Sequence, residues 1–130
     1  MKAAKTLEGL KQLTLLWFDV SDLHKSVHFY REMVRLKLLF LDEEAGWASF
    51  DTGAVGVELG LTVRPLGGTP GRGGGGCPVF EVEDIQQTRE ALESRGVKFD
   101  GGIVGEAGTR RHCTFHDPDG NALQISQVWS

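Results

Sequence analysis

The chain is short of every feature that would place it outside the ordinary folded domains. It has two cysteines in 130 residues, Cys77 and Cys113. That is too few for a disulfide framework, so both are read as free thiols of a reducing compartment. No apolar run approaches the roughly 18 residues that span a bilayer. Lys2 and Lys5 are followed by no apolar signal core, so no leader is read. Cationic excess is missing too: 14 Lys and Arg stand against 18 Asp and Glu, a net charge of −4. This argues against a nucleic-acid or anionic-membrane surface. The expected location is the cytoplasm. Apolar residues at 40% and charged residues at 25% are those of a globular protein.

Glycine is the residue in surplus, 18 in all, and many fall in "PLGGTPGRGGGG" (65–76). This stretch has no periodicity. It is not a phosphate loop, because no Lys-Ser/Thr follows and no strand-loop-helix context surrounds it. It reads as a linker, long enough to let modules exchange between subunits.

What the linker joins is a repeat. Phe18-Asp19-Val20-Ser21-Asp22 recurs 62 positions on as Phe80-Glu81-Val82-Glu83-Asp84. Each copy closes a short apolar run and opens a helix-like stretch. Two similar modules follow from such self-similarity. A unit of about 60 residues is marginal alone, so the modules are expected to share a core within one domain spanning 1–130. Module one covers about 10–64 and module two about 77–129.

The elements can be read in order. "LTLLWFDV" (13–20) is strand-like. Asp22 or Ser21 caps a helix to about Arg35, with Leu23, Val27, Tyr30 and Val34 on one stripe. "KLLFLD" (37–42), "WASFDT" (47–52) and "VGVELGLTV" (55–63) are strands. In module two, "CPVFEV" (77–82) is a strand. Asp84 caps a helix to Arg95 with Ile85, Thr88, Ala91 and Leu92 inward, and Gly96 stops it. "VKFDG" (97–101), "RHCTFH" (111–116) and "NALQISQV" (121–128) are strands, with "DPDG" (117–120) a tight turn. Each module is therefore β-α-β-β-β. Period two puts Leu16, Phe18 and Val20 on the face towards the helices, and Leu15, Trp17 and Asp19 on the other. Leu59 and Leu61 likewise oppose Glu58 and Gly60, and Leu123 and Ile125 oppose Gln124.

"FDVSDLHKSVHFYREMV" (18–34), "GVELG" (56–60), "FEVED" (80–84) and "FHDPDGNALQIS" (115–126) together resemble the vicinal-oxygen-chelate superfamily, which includes glyoxalases, bleomycin-resistance proteins and extradiol dioxygenases. The resemblance covers about 13–128. It implies an α+β fold in which paired β-α-β-β-β modules form a cupped, eight-stranded partial barrel, often as a homodimer. In metal-dependent relatives the ligands lie on the concave face, on the first and last strand of each module. Those positions here are Leu15, Glu58, Cys77 and Gln124. Leucine cannot bind a metal, and a soft thiolate beside hard carboxylate and amide oxygens suits no usual site. No cofactor is expected. If a divalent metal binds, its donors are Glu58, Cys77 and Gln124.

Glu58 is the leading candidate: a carboxylate on the concave face could act as general acid or base. The plainer reading is a residue hydrogen-bonded to Gln124 or water. Cys77 could be a nucleophile if a cation lowered its pKa, but a packed, inert thiol fits the sequence better. His24 and His28 stand four apart, off the core stripe, with no identifiable further ligand. Arg110, His112, Thr114 and His116 alternate with Arg111, Cys113 and Phe115. One of these sets looks into the cup, and His112 could then bind ligand or move a proton. Trp17, Trp47 and Phe50 could stack on a planar or cationic ligand. Asp19, Glu58 and Glu81 would make such a cup acidic.

These readings converge on a metal-free or metal-degenerate protein that binds a small organic ligand, lined by Leu15, Trp17, Asp19, Glu58, Cys77, His112 and Gln124. Sequestration of a toxic compound is one version. The alternative is an enzyme. It would be a glyoxalase-like or dioxygenase-like lyase, isomerase or oxygenase with atypical metal ligands, or a metal-independent isomerase using Glu58 as base.

Overall fold

The computed structural model describes residue 9 and residues 11–63 and 76–128. The linker expected at 65–76, and with it module exchange, lies outside the described residues except for Gly76. Module one comprises β1 (Leu15–Asp19), α1 (Leu23–His28) continued by a π-helical stretch (Phe29–Val34), β2 (Leu38–Asp42), β3 (Trp47–Asp51) and β4 (Glu58–Thr62). Module two comprises β5 (Val79–Glu81), α2 (Ile85–Ser94), β6 (Phe99–Val104), β7 (Arg111–His116) and β8 (Ala122–Gln127). The strand orders are β1-β4-β3-β2 and β5-β8-β7-β6, the same arrangement twice. The fold is α+β, as the resemblance implied. Its eight strands form two separate four-stranded sheets that are not closed within the chain.

Local chemistry explains the element boundaries. Asp22 accepts from Lys25 N at 3.1 Å and Asp84 from Gln87 N at 3.0 Å, so both helices start at an aspartate cap. Ser21 is not the cap. The strand expected to begin at Val55 begins at Glu58, because Gly53 and Gly56 take positive φ of 89° and 78° and turn the chain into a loop. β6 runs on to Val104, three residues past the expected end.

The first helix departs from its expected stripe. Leu23, Val27 and Tyr30 are buried as read, but Phe29 is buried as well. An α-helical stripe would turn one of two adjacent residues outward. The π-helical stretch (a wider, i→i+5 turn) lets both face inward. Phe29 then meets Tyr30 edge-on at 5.1 Å and Phe115 of β7 at 6.3 Å, while Tyr30 lies 5.7 Å from Phe50 of β3. This helix therefore touches both sheets, and the modules share one core. Phe50 is fully buried, which assigns it to packing rather than to a ligand. Leu16 does not reach the core. It is 41% exposed, because β1 is an edge strand whose helix begins only beyond its C-terminal end.

A buried polar cluster ties the modules together. The Tyr30 hydroxyl donates to Asp117 Oδ2 at 2.8 Å. The same carboxylate accepts from Asn121 Nδ2 at 2.9 Å, and through Oδ1 from the N–H groups of Asp119 and Asn121 at 2.9 and 2.8 Å. Asp119 in turn accepts from Ser21 N at 3.0 Å. The sequence marks 117–120 as a turn, and it is one. That it also anchors module two to the first helix has no local signal.

Candidate functional site

Strand register decides which side chains share a face. In the first sheet Leu15 lies opposite Glu58, Trp17 opposite Gly60 and Asp19 opposite Thr62. Across β4, Asp51 pairs with Glu58, Ser49 with Gly60 and Trp47 with Thr62. Beyond β3, Phe40 pairs with Ser49 and Asp42 with Trp47. These residues form the face turned away from the helices. Leu15, Trp17, Asp19 and Glu58, grouped by sequence, are indeed brought together here.

The floor of this face is set by one glycine. A Cβ at Gly60 would meet Trp47 Cη2 at 2.2 Å, Cζ2 at 2.7 Å and Cζ3 at 3.0 Å. The benzo edge of the indole therefore rests on the Gly60 backbone. Any side chain there would lift it. Trp17, opposite Gly60 on the other flank, is 43% exposed. Two indoles thus converge on one strand position. A glycine inside an alternating strand marks such a close approach, a signal the sequence carried but did not tie to Trp47.

Glu58 sits at the rim of this face, exposed, in a row with Leu15 and Asp51. The hydrogen bond to Gln124, one form of the plainer reading of Glu58, is not formed. Gln124 Nε2 instead donates to Thr114 Oγ1 at 3.0 Å. Asp51 and Asp42 hold turns, accepting from Gly53 N at 2.8 Å and Ala45 N at 3.0 Å.

The second sheet answers the question left open at 110–116. His112 pairs with Ser126, Thr114 with Gln124 and His116 with Ala122, whereas Cys113 and Phe115 are buried against the helices. The even-numbered set, with Val79, Glu81 and Gln124, makes the outer face. Arg110 Nη1 donates to Ser126 Oγ at 3.0 Å, and His116 Nδ1 lies 2.9 Å from Asp100 Oδ2. His24 is exposed and pairs with Glu43 at 2.9 Å.

The four family positions do not form a matched set. Leu15 is directly opposite Glu58, but Gln124 is opposite Val79 rather than Cys77. Phe18 pairs with Leu61 as Phe80 pairs with Ile125. The ladder equivalent of Gln124 in module one is therefore Gly60. Cys77 is exposed, and burial by its neighbours pushes its thiol pKa up. That lowers its thiolate fraction and hence its reactivity. Cys77 is expected to react with iodoacetamide at pH 7 more slowly than free cysteine, read by mass spectrometry; faster modification would overturn the inert reading. Among the described residues no group of three or more His, Cys, Asp or Glu side chains is placed to hold a metal ion.

Two clefts border these faces. One, of about 370 Å³, is lined by Leu39, Asp51, Val55, Val57 and Glu58. The other, of about 310 Å³, runs between Trp17 on β1 and Cys77 and Pro78 ahead of β5. The two faces do not cover each other: Phe40, Val79 and Val104 are 53%, 50% and 57% exposed.

Comparison with known proteins agrees with this geometry. The profile of the Glyoxalase/Bleomycin resistance protein/Dioxygenase superfamily matches residues 14–125. YraH of Bacillus subtilis, an uncharacterised protein, is 31% identical over 128 residues, covering 92% of this chain and 98% of its own. A probable lactoylglutathione lyase of Vibrio parahaemolyticus is 31% identical over 126 residues, 83% of this chain and 84% of its own. Among solved structures, TnmS3, an antibiotic binding protein from Streptomyces sp. CB03234, superposes with a TM-score of 0.75 at 26% identity, covering 94% of this chain and 99% of that one.

Proposed function

The chain belongs to the Glyoxalase/Bleomycin resistance protein/Dioxygenase superfamily, and we propose that it is a member that binds a small organic ligand without a metal centre. One observation carries this reading, the chemistry of the donor set. Leu15 has no donor atom. The amide of Gln124 is engaged with Thr114, which leaves a hard carboxylate and a soft thiol as a mismatched pair. These residues do not fit a divalent-metal site. Likeness to an antibiotic binding protein supports ligand sequestration as the form this binding takes.

In this reading Leu15, Trp17, Asp19 and Glu58 contact the ligand from one face, and Cys77, His112 and Gln124 from the other. A second copy of the chain completes the cup, giving a homodimer. One feature supports it: neither face is covered within the chain. Two free thiols support a cytoplasmic location.

A second reading rests on Glu58, which stands on the open face at the family's carboxylate position, and on likeness to a probable lactoylglutathione lyase. It makes the protein a glyoxalase-like or dioxygenase-like enzyme, or a metal-independent isomerase with Glu58 as base. Plasma mass spectrometry of untagged protein offered zinc, manganese, nickel, iron and cobalt separates the readings. Well under one metal per chain is expected. Near-stoichiometric metal that is lost in Glu58→Ala would overturn the metal-free reading. For a Glu58-based catalyst, Glu58→Gln would cut turnover by roughly 10²–10⁴-fold; for a binding protein it shifts affinity alone.

A further inference from the structure

We infer that the ligand of the first sheet's open face is a planar aromatic cation, stacked on Trp47 beside Trp17 with its positive charge towards Glu58. This rests on the small-molecule reading above and narrows it to a chemical class.

Shape comes from the indoles. The benzo end of Trp47 lies over Gly60, too close to the backbone for any side chain to intervene, and the residue is part-buried. Trp17 stands across the same strand position, 43% exposed. Two indoles at one strand position, neither of them fully buried, are a stacking surface for a flat π-system, and their quadrupoles also attract a cation. An aliphatic ligand would leave both preferences unused.

Charge comes from the same face. Asp19, Asp42, Asp51 and Glu58 all project from it. Among the described residues, Lys37 is brought to this face at the edge strand, where the Asp51 N–H donates to Lys37 O at 2.9 Å. Asp42 and Asp51 are committed to turns. Glu58 makes no side-chain hydrogen bond or ion pair among the described residues, and it lies two residues along β4 from Gly60, roughly 7 Å at the rise of a strand. A cationic ring on Trp47 thus has this carboxylate at its margin. A separate cleft of 370 Å³, lined by Asp51, Val57 and Glu58 but by neither indole, adjoins the Glu58 end of this face.

Isothermal titration calorimetry with three probes tests this: proflavine, a planar cation; anthraquinone-2-sulfonate, a planar anion; and cyclohexylammonium, a cation that cannot stack. Proflavine is expected to bind at least about tenfold tighter than either of the others. Trp47→Leu should weaken proflavine by roughly tenfold or more, the usual range for loss of one stacking side chain. Trp17→Ala, at an exposed position where folding is not at stake, should weaken it by a few fold. Glu58→Gln should weaken proflavine but leave anthraquinone-2-sulfonate unchanged or tighter. Equal binding of planar anion and planar cation, both sensitive to Trp47, would overturn the charge assignment while leaving small-molecule binding intact. Proflavine binding that ignores Trp17 and Trp47 would overturn the site. No binding of any probe, with a different ligand found by thermal-shift screening, would overturn the class. If the screen also finds nothing, the small-molecule reading itself fails.

Discussion

Asp117→Ala is expected to lower stability by about 4 kcal/mol, because several buried donors lose their shared acceptor at once. At this chain length that is a fall in Tm of roughly 10–15 °C, measured by circular dichroism or calorimetry. The reasoning follows the donors. Asp117 is 4% exposed and accepts four hydrogen bonds, from Tyr30 Oη, Asn121 Nδ2 and the N–H groups of Asp119 and Asn121. Alanine leaves all four donors facing a small void. Unsatisfied buried groups cost about 1–3 kcal/mol each, less where the site relaxes. Tyr30→Phe removes one donor and leaves the carboxylate three others, so it should cost about 1–2 kcal/mol. A loss below 1 kcal/mol for Asp117→Ala would mean that this turn is not what fastens module two to the first helix.

The same contact sets an alkaline limit. Burial, and next the charge of Asp117, push the Tyr30 hydroxyl far above its ordinary pKa of 10.0. A group whose folded pKa is raised holds its proton more tightly when folded. Its stabilising effect is therefore complete below the unfolded pKa and is lost as pH rises past it. Stability should fall with each pH unit above about 10 in the wild type, and Tyr30→Phe should flatten that fall. A wild-type chain and a Tyr30→Phe variant with identical alkaline slopes would show that other groups control the limit.

Legibility in the sequence tracked the range of the interaction. The module plan came from a repeat, and the faces from strict alternation at Leu59, Leu61, Leu123 and Ile125, all of which are buried. The aspartate caps at 22 and 84 came from chemistry acting over three residues. What stayed hidden depends on residues far apart. The π-helical stretch answers the packing of Phe29 against Phe115, 86 positions away. Tyr30 and Asp117 are separated by 87. Which set of 110–116 faces outward needed the register with β8. For the site, Leu15, Trp17, Asp19 and Glu58 do share a face. Their partner Trp47 was visible only as one aromatic among several, because its place depends on a diagonal reach to Gly60 on the neighbouring strand.

Gly60→Val is expected to unseat Trp47, and a double-mutant cycle shows why this differs from ordinary strand chemistry. Valine suits a strand better than glycine by propensity, so on local grounds the change should stabilise. Here its Cβ alone would lie 2.2 Å from Trp47 Cη2. The ring must lift away from the sheet, and overpacking of this kind costs typically 1–3 kcal/mol. Tryptophan emission should shift to the red as the indole enters water, and near-ultraviolet circular dichroism should weaken. Trp47→Ala removes the obstacle. In that background Gly60→Val should cost little or stabilise, giving a coupling of about 1–3 kcal/mol between two residues in contact. Additive effects would mean that Trp47 does not rest on Gly60, and the stacking floor of the open face would go with it.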